Sequence, residues 1–307
     1  MKKLIRSILN KFSIEIKRKN PELKNNLSFD DIYKIKINKN PIIFDVGANK
    51  GQSIERFKKI FPNAEIHSFE PNKDEFINLK NKYQSDNTIT INNFGVGDLL
   101  EKKNLYITAK SGSSSFNKLN PNSEWLKKRS KQFNTSNDGY TKSIETVNII
   151  TLDEYCKKNN LNNIDILKID TQGYEDKVLK GCENIFKNNV VSFVEAEIMF
   201  DDVYEKYLTF SDLEKNLLPY DFRFCAISTA NNNLFEGLVF FADLVYFSLF
   251  LRMNKQSKNT NNQIKLHEKQ FRYRSSSMGI LQSSGRRTRP QSQKNSGLSR
   301  KTPKSAK

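Results

Sequence analysis

The chain has 307 residues, 36% of them hydrophobic and 28% charged, enough to bury a full core in one large domain or two small ones. Its formal net charge of +17 is unevenly placed: residues 1–20 carry seven Lys or Arg against one Glu, residues 252–307 carry fifteen against one, and the stretch between is slightly acidic. Three distant cysteines (Cys156, Cys182, Cys225) and two histidines form no metal-ligand spacing and suit a reduced cytoplasmic protein, and no run reaches the roughly 18–20 apolar residues of a membrane span.

In chain order, residues 1–40 form a lead-in. Leu4, Ile5, Ile8, Leu9, Phe12 and Ile16 recur at helical spacing among basic residues. Such a helix packs on its own domain or lies on an anionic membrane surface, which would make the protein membrane-peripheral. Asn10 and Lys11 interrupt the apolar stretch that a cleavable signal needs. From residue 41 to about 251 strand-like and helix-like segments alternate. A strand at Ile42–Val46 precedes a helix around Ser53–Ile60 and a strand at Glu65–Phe69. A helix follows Pro71, placed in its first turn. Thr88–Phe94 reads as a third strand and Leu105–Thr108 as a short extra one. Residues 110–143, Ser- and Asn-rich and carrying the only tryptophan, Trp125, read as a long functional or mobile loop.

The alternation then resumes. Thr151-Leu-Asp-Glu154 and Ser211-Asp-Leu-Glu214 are capping-box patterns at helix starts. Ile164–Ile169 is apolar apart from Asp165 and Lys168, as a buried parallel strand should be, and Lys168 implies a buried ion pair. Val190–Val194, Phe222–Ser228 and Leu238–Phe247 complete the strands. The last two are separated only by Thr229–Glu236, too short for a crossover helix, so they form an antiparallel hairpin. The expected architecture is α/β: a doubly wound, mostly parallel seven-stranded sheet ending in that hairpin. Residues 252–307, rich in Ser, Gln and Arg, cannot bury a core and read as a disordered basic tail without catalytic role. A basic tail can attract nucleic acid, but no folded reader accompanies it, so nucleic acid is not the expected partner.

Three motifs carry chemistry. The first strand ends in Asp45 and opens into Gly47-Ala-Asn49-Lys-Gly51 before a helix. Glu70 ends the next strand, where an acid accepts two hydrogen bonds from a ribose diol. A dinucleotide site needs three glycines and tolerates no carboxylate at its pyrophosphate. Asp45 instead suits the positive end of S-adenosylmethionine, directly or through water. The third motif, Asp170-Thr-Gln-Gly173-Tyr-Glu175, lies at the carboxyl end of a central strand, the edge where ligands bind in open α/β sheets.

Together Phe44–Gly51, Phe69-Glu70-Pro71, Gly95-Val-Gly-Asp98, Ser113–Ser115, Thr151-Leu-Asp153, Lys168–Glu175 and Val194–Phe200 resemble the FkbM-type methyltransferases, in that family's order and over about residues 41–248. The resemblance implies a Rossmann-like class I methyltransferase domain that uses S-adenosylmethionine. It places Asp45, Gly47, Asn49 and Gly51 around the methionine part of the cofactor, Glu70 on the ribose and Asp98 near the adenine. Asp170, Gly173 and Glu175, with Glu195 and Glu197 from the next strand, would line the catalytic face. The implied reaction is O-methylation of a hydroxyl, commonly of a sugar in a bacterial surface polysaccharide or glycoconjugate. The competing readings are a non-catalytic domain that binds the cofactor or a glycan, and a nucleic-acid methyltransferase. Against the latter, no Asp/Asn-Pro-Pro-aromatic motif is present.

A base assists a weakly nucleophilic sugar hydroxyl by about 10²–10⁴-fold. His67 lies within a strand and reads as a core histidine, so the expected base is a carboxylate: Asp170 first, then Glu195, Glu197 or Glu175. Such a cluster could also hold a divalent cation that acidifies the hydroxyl, although no ligand spacing in the chain calls for one. For Glu175, a favourable charge in a first helical turn is the competing role. Ser113–Ser115 are candidates for substrate contact or flexible filler.

Overall fold

The computed structural model describes residues 27–231 and 237–249. The expected N-terminal basic helix and the basic tail lie outside the described residues.

Ten strands and eight α-helices are described. In order they are α1 (Phe29–Lys36), β1 (Ile42–Val46), α2 (Gln52–Ile60), β2 (Glu65–Phe69), α3 (Lys73–Tyr83), β3 (Ile89–Asn92), β4 (Gly95–Val96) and β5 (Glu101–Thr108). There follow α4 (Glu124–Gln132), β6 (Thr141–Ile150), α5 (Leu152–Asn159), β7 (Ile164–Ile169), α6 (Glu175–Lys180) and α7 (Glu183–Lys187). The series ends with β8 (Val191–Met199), α8 (Phe210–Leu217), β9 (Phe222–Asn231) and β10 (Val239–Ser248). Seven strands form one sheet in the order β3-β2-β1-β7-β8-β10-β9. The pairs from β3 to β8 are parallel, and β10 runs antiparallel to both β8 and β9. This is the doubly wound sheet with a terminal hairpin that the alternating pattern predicts.

Each face of the sheet buries its own apolar layer, which is why the parallel strands are apolar on both sides. Phe44, Val46, Phe69, Leu167 and Ile169 pack with Leu152, Tyr155, Val178 and Leu179 on one face. Ile43, Ile66, Ile166 and Phe193 pack with Tyr33, Ile54 and Phe57 on the other. From β1 the chain winds outward to β3, then returns to place β7 on the other side of β1. Loops leaving β1 and β7 therefore diverge, and the crevice between them is the natural ligand site of such a sheet. At this point the backbones touch: Asp170 N–H donates to the Val46 carbonyl at 2.9 Å. Gly47 sits at φ +89°, and a Cβ there would lie 2.0 Å from the Asp170 carbonyl oxygen.

Several local expectations shift. The expected loop 110–143 holds α4 and the start of β6, and β4, β6 and β5 form a second, three-stranded sheet. Helix α4 buries Trp125 and Leu126 beneath a run of basic residues, and much of β6 is exposed, so neither shows a strong period in sequence. Pro71 precedes α3 rather than entering its first turn. The cap is Asn72, whose side chain accepts from the Asp74 and Glu75 amides. Helix α8 is capped by Thr209 in a reciprocal box with Asp212, not by Ser211, because Phe210 already joins the helix. Thr151 caps α5 as expected, accepting from the Glu154 amide at 3.1 Å. Its neighbour Asp153 accepts from the Asn184 and Ile185 amides at 2.9 Å, so this motif anchors α7 against α5.

Gly47→Ala should destabilise the fold by more than about 2 kcal/mol, since it combines an unfavourable φ with a backbone clash. Gly112→Ala, whose added Cβ would meet only the Asn49 side chain at 3.8 Å, should cost little. Urea denaturation of the two variants checks this, and equal midpoints would show that the tips of β1 and β7 are not in contact.

Candidate active site

A cavity of about 420 Å³ opens at the carboxyl ends of β1, β2, β7 and β8, within the range of small-molecule sites. Its lining takes Val46–Asn49 from the first turn, Phe69–Pro71 from the second strand end, and Asp170–Gln172 from the third. Residues Lys110–Phe116 of the β5–α4 connection also line it, with Trp125 and Arg129 from α4.

Glu70 joins two of these turns. Its carboxylate accepts from the Asn49 amide at 2.7 Å and from the Asn72 amide at 2.8 Å. Burial raises its pKa to about 7 against the pull of those two bonds. The Gly47–Gly51 turn is tight: Gly51 N–H donates to the Ala48 carbonyl at 2.8 Å. Asn49 occupies φ +45°, and its side chain reaches Ser111 Oγ at 3.4 Å. Asp45 is fully buried and absent from the lining, and both carboxylate oxygens lack a hydrogen-bond partner among the described residues. Burial raises its pKa to about 6, a shift that Lys168 opposes.

The strand register sets the remaining charges in rows. Asp45, Lys168 and Glu195 are neighbours on β1, β7 and β8. Because strand side chains alternate, Asp170 and Glu197 lie two residues on, on the same face. Glu197 pairs in register with Asp243 on β10. Lys168 binds Asp170 Oδ2 at 3.2 Å, so the buried ammonium that its strand position implies is paired, with a half-buried carboxylate at the cavity edge. Burial pulls its pKa down, but Asp170, Asp45 and Glu195 outweigh that and raise it. Glu195 is held in a fork: Arg56 Nη1 at 2.5 Å and Nη2 at 3.2 Å, with the Tyr33 hydroxyl donating at 2.7 Å. Asp170 Oδ1 and Glu197 Oε2 accept from the same Gln172 amide nitrogen, at 2.8 and 2.7 Å. Glu197 has its pKa raised well above the ordinary value by burial, then by Asp170 and Asp243. Asp243 rises to about 6, first through burial and then through Glu195.

Of the eleven residues that the family resemblance places at the site, six line this cavity: Gly47, Asn49, Glu70, Asp170, Glu195 and Glu197; Gly51 and Gly173 lie outside the lining, in the turns that carry it, and Asp45 lies beneath it. Glu175 does not line it. Its buried carboxylate accepts from the Thr171 and Gly173 amides, at 2.9 and 3.1 Å, and so shapes the loop that carries Asp170. Burial raises its pKa to about 7. Asp98 is also outside the lining, drawn into an ion pair with Lys177 at 2.7 Å. His67 is buried against Tyr155, with Nδ1 2.8 Å from the hydroxyl, as a core histidine. The serine run divides its roles: Ser111–Ser115 line the cavity, while Ser115 Oγ donates to the Gln172 carbonyl at 2.7 Å. Gln172, Asp243, Lys110 and Arg129 escaped the sequence reading. Only Gln172, inside the third motif, had a local signal there.

Five carboxylates (Asp45, Asp170, Glu195, Glu197, Asp243) thus face two cations, Lys168 and Arg56. The surplus negative charge, with the unpartnered Asp45 oxygens beneath the turn, fits a ligand bearing a positive centre. Among the described residues no three acids, histidines or cysteines are arranged to hold a metal ion, and no helix is long and apolar enough to cross a membrane.

Asp45 also sets a pH dependence. Its folded pKa of about 6 lies above its unfolded value, so its contribution is present below about pH 4 and lost as pH rises through 6. Asp45→Asn should therefore stabilise the ligand-free protein at pH 8, by up to about 3 kcal/mol, with the gain vanishing near pH 4. Thermal melts at the two pH values check this, and equal stability at pH 8 would remove the buried charge from the argument.

A family model, Methyltransferase FkbM domain, matches residues 45–224, more than half of the chain. The chain is 24% identical over 176 residues to 2-O-methyltransferase NoeI of Sinorhizobium fredii (strain NBRC 101917 / NGR234), covering 55% of this chain and 67% of that protein. Among solved structures it resembles methyltransferase FkbM from Methylobacillus flagellatus KT, at TM-score 0.43 and 15% identity over 68% of this chain. It spans only 44% of that protein's length. M. capricolum TrmK, solved with S-adenosyl-homocysteine, matches at TM-score 0.37 and 13% identity, over 72% of this chain and 69% of that one. The order of strands, the acids at their carboxyl ends and the family match together lead to one conclusion: this chain belongs to the FkbM methyltransferase family and is a methyltransferase.

Proposed function

We propose that the protein is an S-adenosylmethionine-dependent O-methyltransferase acting on a hydroxyl of a sugar, in a bacterial surface polysaccharide or other glycoconjugate. Family membership implies the cofactor, whose sulfonium presents an electrophilic methyl group and a good leaving group. The residues present fit it. Glu70 lines the cavity at the end of β2, where a carboxylate can receive a ribose diol, and Asp45 places unpartnered negative charge beneath the glycine turn. The relative NoeI is described as a 2-O-methyltransferase, which supports oxygen as the acceptor atom.

The observation that carries this reading is the Asp170–Gln172–Glu197 arrangement on the cavity wall. Lys168 on one oxygen and Gln172 on the other fix the Asp170 carboxylate while leaving each oxygen a free lone pair. Asp170 then accepts the proton of an acceptor hydroxyl as its oxygen attacks. Gln172, held at φ +58° with its side-chain Oε1 accepting from the Tyr204 hydroxyl at 3.2 Å, keeps that carboxylate aimed. The raised pKa of Glu197 lets it keep a proton beside Asp170, which limits repulsion between the two. Positioning supplies much of the remaining rate.

Asp170→Asn should lower turnover by about 10²–10⁴-fold, the usual contribution of a placed base. It should leave the affinity for S-adenosylhomocysteine within several-fold. Isotope-labelled S-adenosylmethionine with a panel of glycans and nucleotide sugars, read by mass spectrometry, tests the reaction. A sugar O-methyl ether is the expected product. Near-normal turnover in the variant would remove Asp170 as the base, and label found on nitrogen would retire the O-methyl reading.

A further inference from the structure

The cavity is charged oppositely at its two walls. The acids described above lie on the sheet, whereas Lys110, after β5, and Arg129, on α4, line the cavity from the connection that covers it. The Arg129 guanidinium lies 5.5 Å from the centre of the Trp125 ring and gives one Nη1 bond to Gln132 at 2.9 Å. Its Nε is buried without a hydrogen-bond partner. Lys110 is exposed, and among the described residues neither it nor Arg129 makes a side-chain ion pair with a carboxylate. The two cations are close enough to repel: burial and then Arg129 hold the Lys110 pKa below its ordinary value, while Glu197 and Asp170 pull the other way. Two neighbouring cations with no carboxylate in bonding contact are relieved by an anion that bridges them.

Their place in the cavity identifies which ligand supplies that anion. Trp125 packs with Met199, Val203, Tyr204 and Phe240, over the ends of β8 and β10. Glu70 and the glycine turn belong to β2 and β1, on the other side of β7 in the sheet order. Arg129 therefore stands on the half of the cavity that the cofactor-holding turns leave open, and Lys110, next to the Ser111 that reaches Asn49, stands between the two halves.

We propose that Lys110 and Arg129 form an anion-binding subsite for the methyl acceptor, so that the acceptor is a sugar bearing a carboxylate or phosphate group. This rests on the sugar O-methyltransferase reading. The anion is held at the roof, by a planar guanidinium suited to two-point binding and by an ammonium beside it. The acceptor's other end faces the acidic wall, where a second anion would be repelled. One orientation is thereby selected, with a hydroxyl presented to Asp170.

The test uses the full chain, Lys110→Gln, Arg129→Gln and the double variant, with thermal melts to verify folding. Calorimetry with S-adenosylhomocysteine present measures binding of inorganic phosphate, glucuronate, glucose 1-phosphate and, as the neutral control, glucose. The expected result is that glucuronate or glucose 1-phosphate binds at least about tenfold more tightly than glucose, as a charge-assisted contact should give. That advantage should disappear in the double variant and shrink with added salt, while S-adenosylhomocysteine affinity stays within about twofold. Which anion wins separates a carboxylate from a phosphate acceptor. If anionic sugars bind no better than glucose, or not at all, the proposal is overturned. It is equally overturned if the variants lose about tenfold or more in S-adenosylhomocysteine affinity, for the pair would then hold the cofactor's own carboxylate. Charge-selective sugar binding without methyl transfer would retire the sugar-methylation reading and leave the anion subsite standing.

Discussion

One buried ammonium makes this site sustainable. Lys168 sits in the central strand β7, 7% exposed, in register with Asp45 on one side and Glu195 on the other, and bonded to Asp170 two residues on. Removed from water alone, any of these charges would cost several kcal/mol. Placed together, they support one another, and Arg56 adds a second cation against Glu195. The cations do not balance the acids, and the remainder appears as carboxyl groups with raised pKa: Asp45, Glu197 and Asp243. The folded protein thus stores a preference for a positive ligand at the sheet edge. Such storage destabilises the empty fold and favours the occupied one.

Around that charge the backbone is arranged by other carboxylates. Glu70 ties the β1–α2 turn to the start of α3, Glu175 ties the loop after β7, and Asp153 ties α7. These acids spend their lone pairs on amides that would otherwise be unpaired near chain reversals. Two of them read in sequence as functional residues, and the structure separates their roles. Glu70 also faces the cavity, whereas Glu175 stays outside its lining and holds the loop that carries Asp170. An acid at the end of a strand can serve either purpose, and its spacing in the chain is the same for both.

The second layer of function comes from the β5–α4 connection and its short sheet. This excursion covers the crevice, brings Trp125 into an apolar cluster with residues after β8 and on β10, and sets two cations opposite the acids. On the proposed reading, the main sheet supplies the cofactor half of the cavity and the excursion supplies the acceptor half. That division follows the general rule that scaffolds hold loops and loops hold specificity.

The main sheet was legible in the chain because its signals are local and repeated. Apolar strands of five or six residues, glycine turns and acids at strand ends recur at one βαβ spacing, and they were enough for a mostly parallel sheet with a terminal hairpin, though not for the order of its strands. The same signals located Gly47, Asn49, Glu70 and Asp170, which the structure brings to one cavity. What the chain alone left open depends on contacts between distant segments. Asp98 pairs with Lys177 rather than facing the cavity because α6 passes beside it. Asp243 joins the acidic wall only through the antiparallel register of β10 on β8. Lys110 and Arg129 come to one cavity only when α4 packs, through Trp125, onto Met199, Val203 and Tyr204. Periodicity and turn chemistry act over a few residues and can be read directly. Register between strands and the covering of a cavity are decided by which apolar faces meet, and that is settled only in three dimensions.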